Sequence, residues 1–342
     1  MNLKQLAAQL GLSPTTVSRA LNGYPEVNAE TRDRVLRAAR ETGYRPNRTA
    51  QRLATGKAGS IGLLMPVGAE VMSDLHFGEF LRGLGETAQK EDFHLVVMPA
   101  DPADEVSALR SLATSGYVDG LCLAYIREND SRIDLMESFG LPFIVHGRFF
   151  DPPHPYPLLD VDNEASFFEA TRLLLQLGHS RIGLINGDEE FGFAIRRRDG
   201  VVKALAERGL TLEPRFHASE QMTEEGGQRA TERFLAAPER PTALICASMV
   251  QALGIVRAIE QAGLTLGRDI SLISYDDVLP LLRPELFTVP LTTTRSSLRM
   301  AGRRIAERLI HAIKGSTQDT LEELWRPELV VRASTGQAPG KN

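Results

Sequence analysis

The twenty residues from Leu3 to Asn22, LKQLAAQLGLSPTTVSRALN, constrain the fold more than any other stretch. Leu3, Leu6, Ala7 and Leu10 recur at spacings of three and four, which sets them on one helix face. Gly11 ends that helix, because glycine takes positive φ without steric cost. Ser13 and Pro14 open a second: a hydroxyl for the N-cap, then a ring already at helical φ. Val17 and Leu21 face inward, leaving Pro14, Thr15, Ser18, Arg19 and Asn22 outward. Two short helices about a glycine-containing turn read as a helix-turn-helix. The outward face carries hydroxyls, a guanidinium and an amide, groups that meet base edges and phosphates. The competing reading is two small helices in an ordinary α-helical domain.

Charge distribution weighs against that competitor. The 342-residue chain carries a net −5, which as a total argues against nucleic acid. Residues 1–60, however, hold ten Lys/Arg against four Asp/Glu, a balance of +6 that leaves −11 on the other 282. A basic head on an acidic body is the electrostatic footprint of a DNA-binding module joined to something else. No positively charged segment followed by a long apolar run opens the chain, so no signal peptide is expected. No stretch approaches eighteen apolar residues, so no membrane partner is expected and the cytoplasm is the expected compartment. Cys122 and Cys246 fall in apolar, strand-like runs, where buried reduced thiols are expected rather than a disulfide or metal site.

Taken in order, Asn28 caps a third helix that runs to about Thr42 and stops at Gly43 and Pro46. Val35, Ala38 and Ala39 supply its inner face. Asn47 caps a short helix through about Ala54, too brief to hold alone. TGKAG, residues 55–59, reads as a flexible joint. From Ser60 strands and helices alternate: SIGLLM, a helix from about Phe77, HLVVMPA, a helix from about Ala103, GLCLA, a short helix, FIVHG. A second series follows Asp162: a helix capped by Asn163, RIGLIN, a helix near Arg197, ALICAS, a helix to Gly263, ISLISYD. PLTTTR leads into an amphipathic helix and a last strand, LVVRAS. That rhythm predicts parallel sheets with helices on both faces.

The head resembles the LacI/GalR family of bacterial transcriptional regulators, and the likeness runs on through VNAETRDRVLRAARETGY, RPNRTAQRLATG, SIGLLMP, VDN, LGHSRIGLING, DISLISYDD and PLTTTR in order. The resemblance implies an all-α helix-turn-helix head (1–46), a hinge helix and linker (47–59), and an α/β core (60–342). The core would be two Rossmann-like subdomains resembling periplasmic sugar-binding proteins, 60–161 plus 292–315 and 162–291 plus 316–335, with a cleft between them. The hinge helix would order on DNA and press Leu53 into the minor groove beside its dimer mate, kinking the duplex. The bland alternative for Leu53 is an ordinary contact with the core.

Pro14, Thr15 and Arg19 match the family positions that read bases, and the resemblance implies a bidentate fork from Arg19 to guanine O6 and N7. Thr16, Ser18 and Asn22 are placed for phosphates. Arg197 and Asp276 match the arginine and aspartate that hold ligand in relatives, where a fork and a carboxylate suit adjacent sugar hydroxyls. Arg196 and Arg198 leave the register open by one. Phe77 and His146 are candidates from the first subdomain, with Met222 and Ser248 from the second. Gly147 and Met249 stand where the family often has acids, and Met222 where several relatives have an aromatic. No Walker loop, GxSxG elbow or metal-spaced cluster is present, so neither an enzyme, a cofactor nor a metal is expected. The expected partners are a pseudo-palindromic operator, a sugar effector and a second copy of the chain. A transport solute-binding protein fits the core but not the basic head. The motifs leave open induction against corepression, activation by a non-sugar effector, and the effector's identity; a repressor induced by a sugar is the favoured reading, because IVHGR resembles regulators of oligosaccharide use, particularly of α-glucosides.

Overall fold

Local chemistry sets the helices of the head. Asn2 accepts the Gln5 N–H and Gln5 accepts that of Asn2, a capping box that opens α1 (Leu3–Leu10). Gly11 closes it at φ +64°. Ser13 Oγ accepts the Thr16 N–H at 3.0 Å where α2 (Pro14–Leu21) begins. Asn28 accepts the Thr31 N–H at 2.8 Å and opens α3 (Ala29–Glu41). Leu6, Ala7, Val17, Ala20 and Val35 are buried together. Leu21, expected to face inward, is only partly buried, because Ala20 takes the inner position.

The computed structural model describes residues 1–21, 23–44, 56–66, 75–149, 152, 154–275, 278–316 and 320–340. The hinge helix expected at 47–54, with Leu53, lies outside the described residues, as do Asn22 and Asp276. The chain divides into two units, residues 1–59 and 60–342.

The second unit holds two sheets, six strands each among the described residues. Its first lobe contains β1 (Ser60–Pro66), α4 (Leu75–Lys90), β2 (His94–Ala100), α5 (Glu105–Thr114), β3 (Gly120–Leu123), α6 (Arg132–Ser138), β4 (Phe143–His146) and β5 (Leu158–Val161). The second contains α7 (Asn163–Gln176), β6 (Ile182–Asn186), α8 (Gly192–Ala206), β7 (His217–Ser219), α9 (Glu224–Leu235), β8 (Ala243–Cys246), α10 (Met249–Gln261), β9 (Ser271–Tyr275) and β10 (Thr292–Arg295). α11 (Leu298–Ile313), β11 (Glu322–Trp325) and β12 (Glu328–Val330) complete both. The sheet orders are β11-β5-β4-β3-β1-β2 and β12-β10-β9-β8-β6-β7. Every pairing is parallel except β10 with β12. The uniform burial of SIGLLMP follows, since a central parallel strand is covered on both faces. Helices α4 and α11 cover one face of the first sheet, and α5 and α6 the other.

The subdomain boundaries need correction. Residues 292–295 were expected in the first lobe, yet Thr292–Thr294 pair in register with Ile273–Tyr275 in the second. Residues 316–335 were expected in the second lobe, yet Glu322–Trp325 pair with Leu158–Val161 in the first. The chain therefore crosses at about 162, 296 and 326. An edge strand reading EELW carries two acids, so hydropathy alone does not reveal it. The cap of α7 also differs: Asp162, not Asn163, accepts the Ala165 N–H at 3.1 Å. That frees the Asn163 side chain for the cleft.

Candidate functional site

In the head, Pro14, Thr15 and Arg19 stand exposed on α2, while Thr16 and Ser18 are half-buried. Thr16 Oγ1 lies 2.8 Å from Ser13 Oγ, so its hydroxyl already takes part in the cap. Not all of the basic charge points outward. Arg32 Nη2 donates to the carbonyls of Tyr24 (2.7 Å) and Val27 (3.2 Å), clamping the turn that follows α2. Arg34 donates to the Leu10 carbonyl at 2.8 Å and satisfies the end of α1.

In the second unit, Phe77, His146, Arg197 and Met222 line one cavity, about 800 Å³ of empty space with its open mouth included. It lies between the lobes, at the carboxyl ends of strands, where open α/β sheets place their ligands. Arg197 projects from α8 and is buried. Its Nε donates to Asn163 Oδ1 at 2.9 Å and its Nη1 to the Ala247 carbonyl at 3.0 Å. The guanidinium carbon sits 3.7 Å from the ring centre of Tyr275 and 4.9 Å from that of Phe193. Of the three consecutive arginines only Arg197 lines the cavity. Arg196 donates to the Phe149 carbonyl, and Arg198 pairs with Glu189 and Asp199.

His146 ends β4, stacked on Phe80 with ring centres 4.7 Å apart. Its Nε2 is buried without a hydrogen-bond partner among the described residues. Burial disfavours the imidazolium and lowers its pKa to about 4. Between about 6.5 and about 4 the unfolded chain takes up a proton that the folded chain refuses, so stability falls as pH drops through that window. The loss is up to about 3 kcal/mol. An His146→Gln chain should therefore show a flatter acid limb in urea titrations at pH 7.5 and 4.5; parallel losses in both proteins would refute this.

Two charged lining residues, Asp160 and Arg148, are not among the candidates that the sequence offers. Asp160, on β5, accepts from Arg148 Nε at 3.1 Å, and burial lifts its carboxyl to about 6 against the opposing pull of that guanidinium. It contributes with the opposite sign to His146, favouring the fold as pH falls from about 6 toward the ordinary carboxylate value. Their signal was positional: Arg148 closes IVHGR and Asp160 precedes VDN. Ser248 is not among the lining residues; its hydroxyl accepts the Val250 N–H at 3.0 Å and caps α10. Met249 is buried in the core beneath.

A family profile described as bacterial regulatory proteins of the lacI family matches residues 2–47, and one described as a periplasmic binding protein-like domain matches 171–335. The HTH-type transcriptional regulator AglR of Rhizobium meliloti (strain 1021) is 61% identical over 342 residues, spanning 100% of this chain and 96% of its own. The chain belongs to the LacI family. The HTH-type transcriptional regulator RafR of Escherichia coli is 32% identical over 96% of each chain. Among solved structures, the Lac repressor dimer bound to operator and the anti-inducer ONPF matches with TM-score 0.84 at 26% identity, covering 98% of this chain and 99% of that one. The complex of the transcriptional regulator CelR with cellobiose matches with TM-score 0.72 at 25% identity, covering 98% and 99%. The protein is thus a DNA-binding transcriptional regulator of the LacI family, with a helical head and two parallel α/β lobes. Among the described residues no helix is long and apolar enough to cross a membrane.

Proposed function

We propose that the chain is a homodimeric repressor of carbohydrate-use genes, with a sugar, an α-glucoside by first choice, as the effector in the interlobe cavity. The cavity lining carries this reading: a buried guanidinium fork, a neutral imidazole nitrogen with no hydrogen-bond partner among the described residues, and aromatic walls. That set suits the hydroxyls and C–H faces of an uncharged pyranose. The cellobiose in the CelR complex supports the class of ligand. Arg197, His146, Phe77 and Asp160 are the proposed effector contacts, with Met222 closing one side. Pro14, Thr15 and Arg19 are the proposed base readers; Thr16 and Ser18 the phosphate contacts. Two heads about one turn of DNA apart require a roughly palindromic operator. Sugar and operator binding oppose each other reciprocally, since the coupling free energy is shared.

The test is a gel shift on the gene's own upstream DNA with maltose, trehalose, sucrose or cellobiose, paired with calorimetry of the same sugars. Release of DNA by one of them is expected. No salt-sensitive preference for any inverted repeat would sink the proposal. An Arg19→Ala chain should lose about 1–3 kcal/mol of discrimination at one base pair. Competition binding with singly altered operators reads this out, and an unchanged preference at every position would remove Arg19 from the base readers.

A further inference from the structure

At one rim of the cleft the lobes are joined by a strap that shares Tyr125 and Ile126 with the cavity wall, while its Arg127 and Glu190 stand outside the lining. Its first-lobe half is the loop between β3 and α6. Tyr125 and Asn129 hold left-handed backbone there, with φ +54° and +55°, a conformation that L side chains adopt at a cost. Buried charge maintains it. Arg127 donates to both carboxylate oxygens of Glu105 at 2.8 and 3.2 Å. Arg132 donates to Glu105 at 2.8 Å, to Asp130 Oδ1 at 2.8 Å and to the Tyr125 carbonyl at 2.8 Å. Glu105, Asp130 and Arg132 are all buried.

The second-lobe half is the turn before α8, where Asp188 Oδ1 accepts the Glu190 N–H at 2.9 Å. The halves meet directly. Arg127 Nε donates to Glu190 Oε1 at 3.0 Å, and the Gly192 N–H donates to the Ile126 carbonyl at 2.8 Å. A Cβ at Gly192 would lie 2.9 Å from the Arg148 carbonyl oxygen, so only glycine permits this approach. Each half also reaches the cavity wall. The Tyr125 ring contacts Phe77 (5.4 Å) and Phe191 (5.5 Å). Phe191 stacks on Phe193, the ring beside Arg197.

We infer that Arg127 is a positioning residue for the cleft: by gripping Glu190 on the opposite lobe it sets how often the lobes are closed, and so tunes affinity for a ligand it never touches. The ligand half of this rests on the proposed function; the closure half does not. The two grips differ in strength. The Glu105 side chain is 4% exposed and that of Glu190 60%. The Glu105 grip therefore keeps the loop built, while the Glu190 grip is the one that opens and the one that salt screens.

The experiment uses the full chain without sugar and follows hydrogen exchange of the peptide holding the Gly192 amide, whose bond spans the lobes. Glu190→Gln, on an exposed residue, should speed that exchange about threefold at low salt. Molar NaCl should speed the parent to match and leave the variant unchanged. Gly192→Val should speed it at least tenfold. Calorimetry with maltose should then show about threefold weaker binding by Glu190→Gln and loss of salt dependence. Exchange at Gly192 that ignores both Glu190→Gln and salt overturns the inference, whatever maltose does. Exchange as expected, with no sugar of the panel binding, leaves the strap standing and overturns the sugar reading.

Discussion

An Arg197→Lys chain is expected to fold, to hold operator DNA as the parent does, and to stay on it at sugar concentrations that release the parent. Lysine keeps the charge but not the fork. It cannot serve Asn163 Oδ1 and the Ala247 carbonyl together, and it gives up a planar cation 3.7 Å from the Tyr275 ring centre. Those contacts lie within the protein, so their loss weighs on stability; the loss in sugar affinity is that of a charge-assisted hydrogen bond to the ligand, about 1.5–3 kcal/mol, roughly tenfold to a hundredfold in Kd. Calorimetry against the sugar that releases the parent measures the loss, and the gel shift reports whether DNA binding survives. Sugar affinity within threefold of the parent would remove Arg197 from the site. The same exchange at Arg198, which pairs with Glu189 and Asp199, should leave both readouts nearly unchanged.

The second large effect is on stability. Helices α4 and α11 cross backbone to backbone at Gly83 and Gly302. A Cβ at Gly302 would collide with the Phe80 carbonyl oxygen, and one at Gly83 with that of Arg299. Glu86 lies between Arg299 and Arg303 beside this crossing, and their bonds hold its carboxyl at about 2. Gly302→Val should force the helices apart and cost about 3 kcal/mol or more, read as a lower urea midpoint. Because Phe77 and Phe80 ride on α4, the cavity wall should move as well. Gly85 is the control, with nothing within 4 Å of where its Cβ would be. Gly85→Ala should stabilise by up to about 1 kcal/mol. Equal effects at both positions would mean that the crossing is looser than its geometry requires.

What the sequence makes legible is what depends on near neighbours. Gly11, Ser13 and Asn28 act within four residues of themselves, and their caps stand where local chemistry puts them. Apolar runs such as SIGLLM and ALICAS declare buried parallel strands for the same reason. Arg197 was reachable through resemblance, but its separation from Arg196 and Arg198 depends on which side of α8 faces the cleft. Asp160 and Arg148 meet across two neighbouring strands, a pairing that no periodicity encodes. Asp162 and Asn163 are both competent caps, and only the approach of Arg197 decides which one serves. β11 leaves no apolar signature, because an edge strand needs little apolar surface, and the crossing points it sets are equally silent in the sequence.

Those crossing points bear on how the protein is made. The first sheet is not complete until Trp325 has been added, although its other five strands are finished by Val161. For the whole interval in which a ribosome synthesises the second lobe, Leu158–Val161 presents an unclosed flank of backbone donors and acceptors. Neither lobe is a self-sufficient translation product, and contacts spanning more than 150 residues form last. Arg308, donating to the Leu158 carbonyl at 2.7 Å and to those of Thr320 and Leu321, arrives just before the strand it seats, so the final stitch is carried in by the preceding helix.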